Sequence, residues 1–179
     1  MKKLAVLVSF IDGLNETIGR MVSWLTLAMV LITFSVVVLR YVFSVGWVWM
    51  QESYVWLHGV VFMVGAGYTL LHNGHVRVDI FYRSGSERYR AVIDLIGSIF
   101  LLSPMIVIVL LGSWDYVIKS WVGLEESREA GGLPGLFLLK TVLWVFCVLV
   151  ALQAVSLMGR SWLVLNGGAG LISAERTRE

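Results

Sequence analysis

Four stretches of this chain contain no aspartate, glutamate, lysine or arginine: residues 21–39, 53–71, 95–114 and 141–159. An ion-coupled transport site is built around ionisable or carbonyl-lined groups at membrane depth, and these stretches do not supply them. Charge is scarce overall, at 15% of 179 residues against 58% apolar. That is too little polar surface for a water-soluble domain of this size. A single cysteine, Cys147, excludes an internal disulfide or a CxxC redox centre and reads as a small apolar filler. The net charge of +2 is too small and scattered for nucleic-acid binding. The sequence has no internal repeat, phosphate-cradling glycine loop or nucleophile–base constellation, so it does not read as an enzyme.

What is present is four apolar runs of about 19–20 residues, each long enough as a helix to cross a hydrocarbon core of roughly 30 Å. Backbone groups in lipid must be satisfied internally, and runs without period-two alternation exclude a barrel. The expected fold is therefore an all-α membrane protein with spans at about 21–43, 50–71, 87–121 and 134–163. Residues 1–20 read as a separate amphipathic helix lying in the interface. There Leu4, Leu7, Val8, Ile11, Leu14 and Ile18 recur opposite Lys3, Asp12, Asn15 and Glu16. Residues 164–179 read as a flexible tail. Ten of the fourteen lysines and arginines fall in the two tails and the loop between spans two and three. By the positive-inside rule, both termini lie in the cytoplasm.

The connections carry most of the information. Tyr41, Trp47 and Trp49 suit an aromatic belt at the outer boundary. Arg40 either pairs with Glu52 across the first hairpin or reaches a lipid phosphate. Glu52, Trp56, Gly59 and Met63 share one face of helix two, and Gly59, Gly65 and Gly67 make it a candidate for close contact with a partner helix. His58 is read as a neutral packing histidine. His72, His75 and Asp79 are too few, without a further ligand or supporting shell, to be read as a metal site. Ser84-Gly85-Ser86-Glu87 has the pattern of a capping box opening helix three, with Arg88 and Arg90 facing headgroups. Pro104 should kink that helix, and Pro134 suits the first turn of helix four.

In order along the chain, these residues resemble the small membrane subunit of tripartite ATP-independent periplasmic (TRAP) transporters, over about residues 21–160. The matching elements are Arg40-Tyr41-x-Phe43, then Trp49, Glu52 and Trp56, then Gly65 and His72-x-x-His75-x-x-x-Asp79. Glu126-Ser127, Gly132-Leu133-Pro134, Lys140 and Gln153 complete them. The chain departs from the pattern at Gln51, where the family often has a second acidic residue. The resemblance implies a bacterial inner-membrane importer in three parts. A periplasmic substrate-binding protein captures an organic acid, and a large multi-span subunit carries it together with sodium. The small subunit packs on that subunit's scaffold and binds no cofactor of its own. The Glu-Ser and Gly-Leu-Pro form of the outer loop is similar to the branch associated with 2-oxo acids and related carboxylates.

Two other readings compete. A membrane anchor for a haem or quinone redox enzyme needs paired histidines at bundle depth, and only His58 is near. A self-contained small multidrug exporter needs a membrane-embedded carboxylate, which the four runs lack.

Overall fold

The computed structural model describes residues 1–75, 82, 85–168 and 170. Four helical spans are long and apolar enough to cross a membrane. The first is a single helix, α1 (Lys2–Val42). The second is α2 (Val48–Val64) followed by α3 (Ala66–Leu71), separated only by Gly65. The third is α4 (Glu87–Gly97), a π-helical turn (Ser98–Leu102), and α5 (Ser103–Val122). The fourth is α6 (Leu136–Leu165).

The bundle is built around α6, which packs against each of the other helices named above, while α4 and α5 meet α6 rather than α1 or α2. Burial follows this arrangement: 39% of the most apolar window of α6 is buried, against none of that of α1. Ile106, Cys147, Val150 and Ala154 form the buried cluster where α5 meets α6. Cys147 fills space there beside the Ile106 carbonyl. At the end that the charge pattern of the sequence assigns to the outside, called the outer end below and its opposite the inner end, Trp114 stacks on Trp144 with ring centroids 4.8 Å apart, and Trp121 donates to Thr141 Oγ1 at 2.8 Å.

Local chemistry corrects several expectations. No break separates residues 1–20 from the first span, because α1 runs through Arg20 without interruption. The faces of this segment are also not divided into apolar and polar as expected: Val8 and Ile11 are buried, but so are two of the polar residues. Asp12 and Asn15 are buried, whereas Phe10 is 68% exposed and Leu7 faces outward. The side turned toward α6 carries both kinds of residue: Leu4 and Val8 pack on Gly159, and Asp12 and Asn15 find hydrogen-bond partners. Pro104 interrupts the third span through the π turn: the Ser103 amide donates to the Ser98 carbonyl five residues back. That wider turn absorbs the donor the proline lacks. The N-cap of α4 is Ser86, whose hydroxyl accepts from the Tyr89 amide at 3.3 Å. Pro134 precedes the fourth helix instead of lying in its first turn. Gly135, at φ 92°, is the N-cap, and this left-handed residue turns the chain sharply into α6.

Candidate functional site

Two polar clusters fasten the bundle, one at each end of α6. At the outer end the Glu52 carboxylate accepts from the Ser127 hydroxyl and, at 2.6 Å, from the Leu133 amide. Glu52 lies in the first turns of α2, so these bonds tie the outer loop to helix two. Gly132 is required at this crossing, because a Cβ there would collide with Ser127 and with Glu52 Oε2. The loop is closed further by the Ser127 amide donating to the Leu133 carbonyl at 3.3 Å and the Gly132 amide donating to Glu129 O at 2.9 Å. Glu52, Ser127 and the Gly-Leu-Pro run, which the sequence shows only as separate fragments, form one staple.

Lys140 completes the outer cluster. Its ammonium is ion-paired with Glu125 and sits 3.9 Å from the centre of the Tyr116 ring. The bond from Lys140 holds the Glu125 carboxyl below its usual range. A carboxylate whose value is depressed by folding contributes its full stabilisation above the ordinary range, and loses it as pH falls through the lower, folded value. Loop 123–135 should therefore stay protected from hydrogen exchange through the ordinary glutamate range and open only in stronger acid. Glu125→Gln should leave it more open at neutral pH. Opening of the native loop at the ordinary carboxylate value would show that the pair does not form.

At the inner end a seam of polar side chains joins α1 to α6. Asn15 Nδ2 donates to Gln153 Oε1 at 2.9 Å, and Gln153 Nε2 donates to Asp12 Oδ1 at 3.1 Å. Ser156 donates to the same carboxylate oxygen at 2.6 Å, and Arg160 pairs with the other. Asn15, Gln153 and Ser156 are each at most 3% exposed. Beside the seam, Glu16 contacts His72 at 2.6 Å and Arg20 at 2.7 Å, and Tyr68 packs on His72 with centroids 4.4 Å apart.

The remaining expected residues are distributed as follows. Arg40 is exposed and not paired with Glu52, whose oxygens the outer loop occupies. Tyr41, Phe43 and Trp49 are exposed at the outer rim, with the rings of Trp47 and Trp49 6.4 Å apart. Trp56 lines an apolar cavity of about 510 Å³ between α2, α6 and Leu133. The glycines of helix two serve internal packing: a Cβ on Gly59 would lie 3.6 Å from Leu139, and one on Gly67 would strike Asn15 Oδ1. Gly65 marks the α2–α3 junction, donating to Val61 O at 3.0 Å. His72 and His75 do not share a site, since His72 turns to Glu16 and His75 borders a groove near Asp94. Asp79 lies outside the described residues. Among those described, no three metal-ligating side chains come together. Glu126 and Pro134 are exposed.

The sequence reading missed Asp12, Asn15, Ser156 and Arg160 as a unit. The signal was there in a polar stripe at positions 12 and 15 and another at 153, 156 and 160, both at helical spacing.

Comparison with known proteins decides the family. The profile of the DctQ component of tripartite ATP-independent periplasmic transporters matches residues 29–163. This chain belongs to that family. Its four helices long and apolar enough to cross a membrane suit a multi-pass member of it. The chain is also 29% identical over 107 residues to the C4-dicarboxylate TRAP transporter small permease protein DctQ of Vibrio cholerae serotype O1. That match covers 60% of this chain and 44% of the relative, so the chain matches less than half the relative's length. No solved structure matches the chain. The redox-anchor alternative gains no support, because His58 has no second histidine beside it among the described residues: His72 is bound to Glu16, and His75 lies at the inner groove.

Proposed function

We propose that this chain is the accessory membrane subunit of a sodium-coupled, binding-protein-dependent importer of a small organic carboxylate. In this reading it packs on the scaffold of a large multi-span subunit and stabilises it in the lipid of a bacterial inner membrane. Substrate and sodium are carried by the large subunit, and both termini of this chain face the cytoplasm.

The observation that carries the proposal is the use made of polar side chains between helices. Glu52 is bound by Ser127 and Leu133, Lys140 by Glu125, and Asp12 by Arg160 with Gln153 and Ser156. These groups fasten the chain to itself, which suits a subunit that supports transport without conducting it. The carboxylate class rests on the dicarboxylate named for the relative and on the outer-loop motif. The exposed Glu126, Arg128 and Glu129 of the stapled loop suit contact with the periplasmic substrate-binding protein, where charges act mainly on encounter and register.

Reconstitution into vesicles tests the proposal. This chain alone should give no sodium-driven carboxylate uptake, and uptake should appear when the large subunit and binding protein are added. Robust uptake by the lone chain would overturn the accessory role.

A further inference from the structure

Within the four uncharged stretches His58 is the sole histidine. It is exposed on α2, on the face that carries Val55, 56% exposed, and Phe62, 68% exposed. Its ring stacks on Phe62 with centroids 6.4 Å apart, and no hydrogen bond or ion pair joins it to the rest of the described chain. His58 lies six residues inside the loop-bound Glu52, about 9 Å along the helix axis. At that depth acyl chains offer neither donor nor acceptor, so an imidazole turned outward carries an uncompensated cost. The broad outward faces of α1 and α5, with Leu27, Val30 and Phe34 or Ile108 and Leu111, are apolar at these positions and impose no such demand.

We propose that the Val55–His58–Phe62 face of α2 is the surface this chain presents to a transmembrane segment of the large subunit. The facing segment offers His58 a hydrogen-bond acceptor, such as a hydroxyl or a main-chain carbonyl freed by a helix break. The partner is chosen by polarity: an apolar helix or a lipid tail leaves the imidazole unsatisfied, whereas a segment with one acceptor at that level satisfies it and fixes the register. Val55 and Phe62 supply the close packing that holds helices together in lipid. The inference rests on the importer reading above and names which side of the chain takes part.

The test uses the complete importer in its membrane. A photoreactive benzoylphenylalanine is placed in turn at Val55, Phe62, Leu27 and Ile108, leaving His58 intact. Adducts with the large subunit should form from positions 55 and 62 in several-fold excess over 27 and 108. Capture of the large subunit from 27 or 108, with 55 and 62 yielding only lipid or a second copy of this chain, overturns the surface but leaves the importer reading standing. Failure of all four positions, with no co-purification of the two subunits, removes both. In parallel, His58→Leu should lower recovery of the complex about threefold, the scale of one hydrogen bond inside a membrane. His58→Asn should restore it. The isolated chain should melt nearly alike in all three forms, because His58 has no hydrogen-bond partner among its described residues and only an exposed ring contact with Phe62. Equal recovery with leucine would show that the imidazole bonds nothing across the contact.

Discussion

Replacing Arg160 with methionine should destabilise the chain by about 3 kcal/mol, the lower end of the cost of breaking a buried ion pair, since the arginine keeps some solvent contact. Asp12, 9% exposed, would be left with Gln153 and Ser156 but no counter-charge. The loss should be local to the inner seam, so hydrogen exchange of the first turns of α1 and the last turns of α6 should rise before that of α5. Converting both partners, Asp12→Leu with Arg160→Met, should recover most of the stability, because the charge that would be stranded is then gone. Titration of the folded chain with denaturing detergent measures both variants. Equal stability of the single and double variants would mean the pair is not desolvated.

Glu52→Ala should have the second largest effect, about 2–3 kcal/mol, because it removes the acceptor of two charge-assisted bonds and leaves the Ser127 hydroxyl and Leu133 amide partly buried. Glu52→Gln keeps one oxygen but turns an amide donor toward one of two donors, so about half the loss is expected. Ser127→Ala should cost less than either, since the Leu133 bond survives. Protection of loop 123–135 in hydrogen exchange should fall in the same order. A loop as protected in Glu52→Ala as in the native chain would show that the staple does not hold it.

The sequence was most legible where one physical constraint acts alone. Hydrocarbon excludes charge and demands a minimum length, so composition is enough to mark four helices. It was less legible where two helices satisfy one another. Asp12 and Asn15 look like the wet face of an interfacial helix when read alone. They become an interior face only when set against Gln153, Ser156 and Arg160, roughly 140 residues away. Arg40 and Glu52 invited pairing because they fence successive spans. Glu52 is instead occupied by the Ser127 hydroxyl and the Leu133 amide of the loop, and Arg40 stays exposed. The helix-two glycines show the same difficulty: sequence reveals a lean helix face but not which neighbour fills it, and the neighbours here are Asn15 and Leu139. Among the expected site residues, Glu52, Ser127, Lys140 and Gln153 do come together with partners, because each can satisfy a polar demand that its surroundings cannot leave open.

The two ion pairs of α6 turn that helix into a gauge of bilayer thickness. Lys140 and Arg160 are both fixed to neighbouring segments, and twenty residues of helix separate them, about 30 Å of rise. A hydrocarbon layer of that depth leaves each cation at a headgroup boundary. In a thicker membrane one pair must sink into acyl chains or the bundle must tilt; in a thinner one the apolar flank of α6 meets water. Each ångström of mismatch costs a fraction of a kcal/mol. Acyl-chain length thereby becomes a control on how firmly α1 and the outer loop are held, with no change in any residue of the protein.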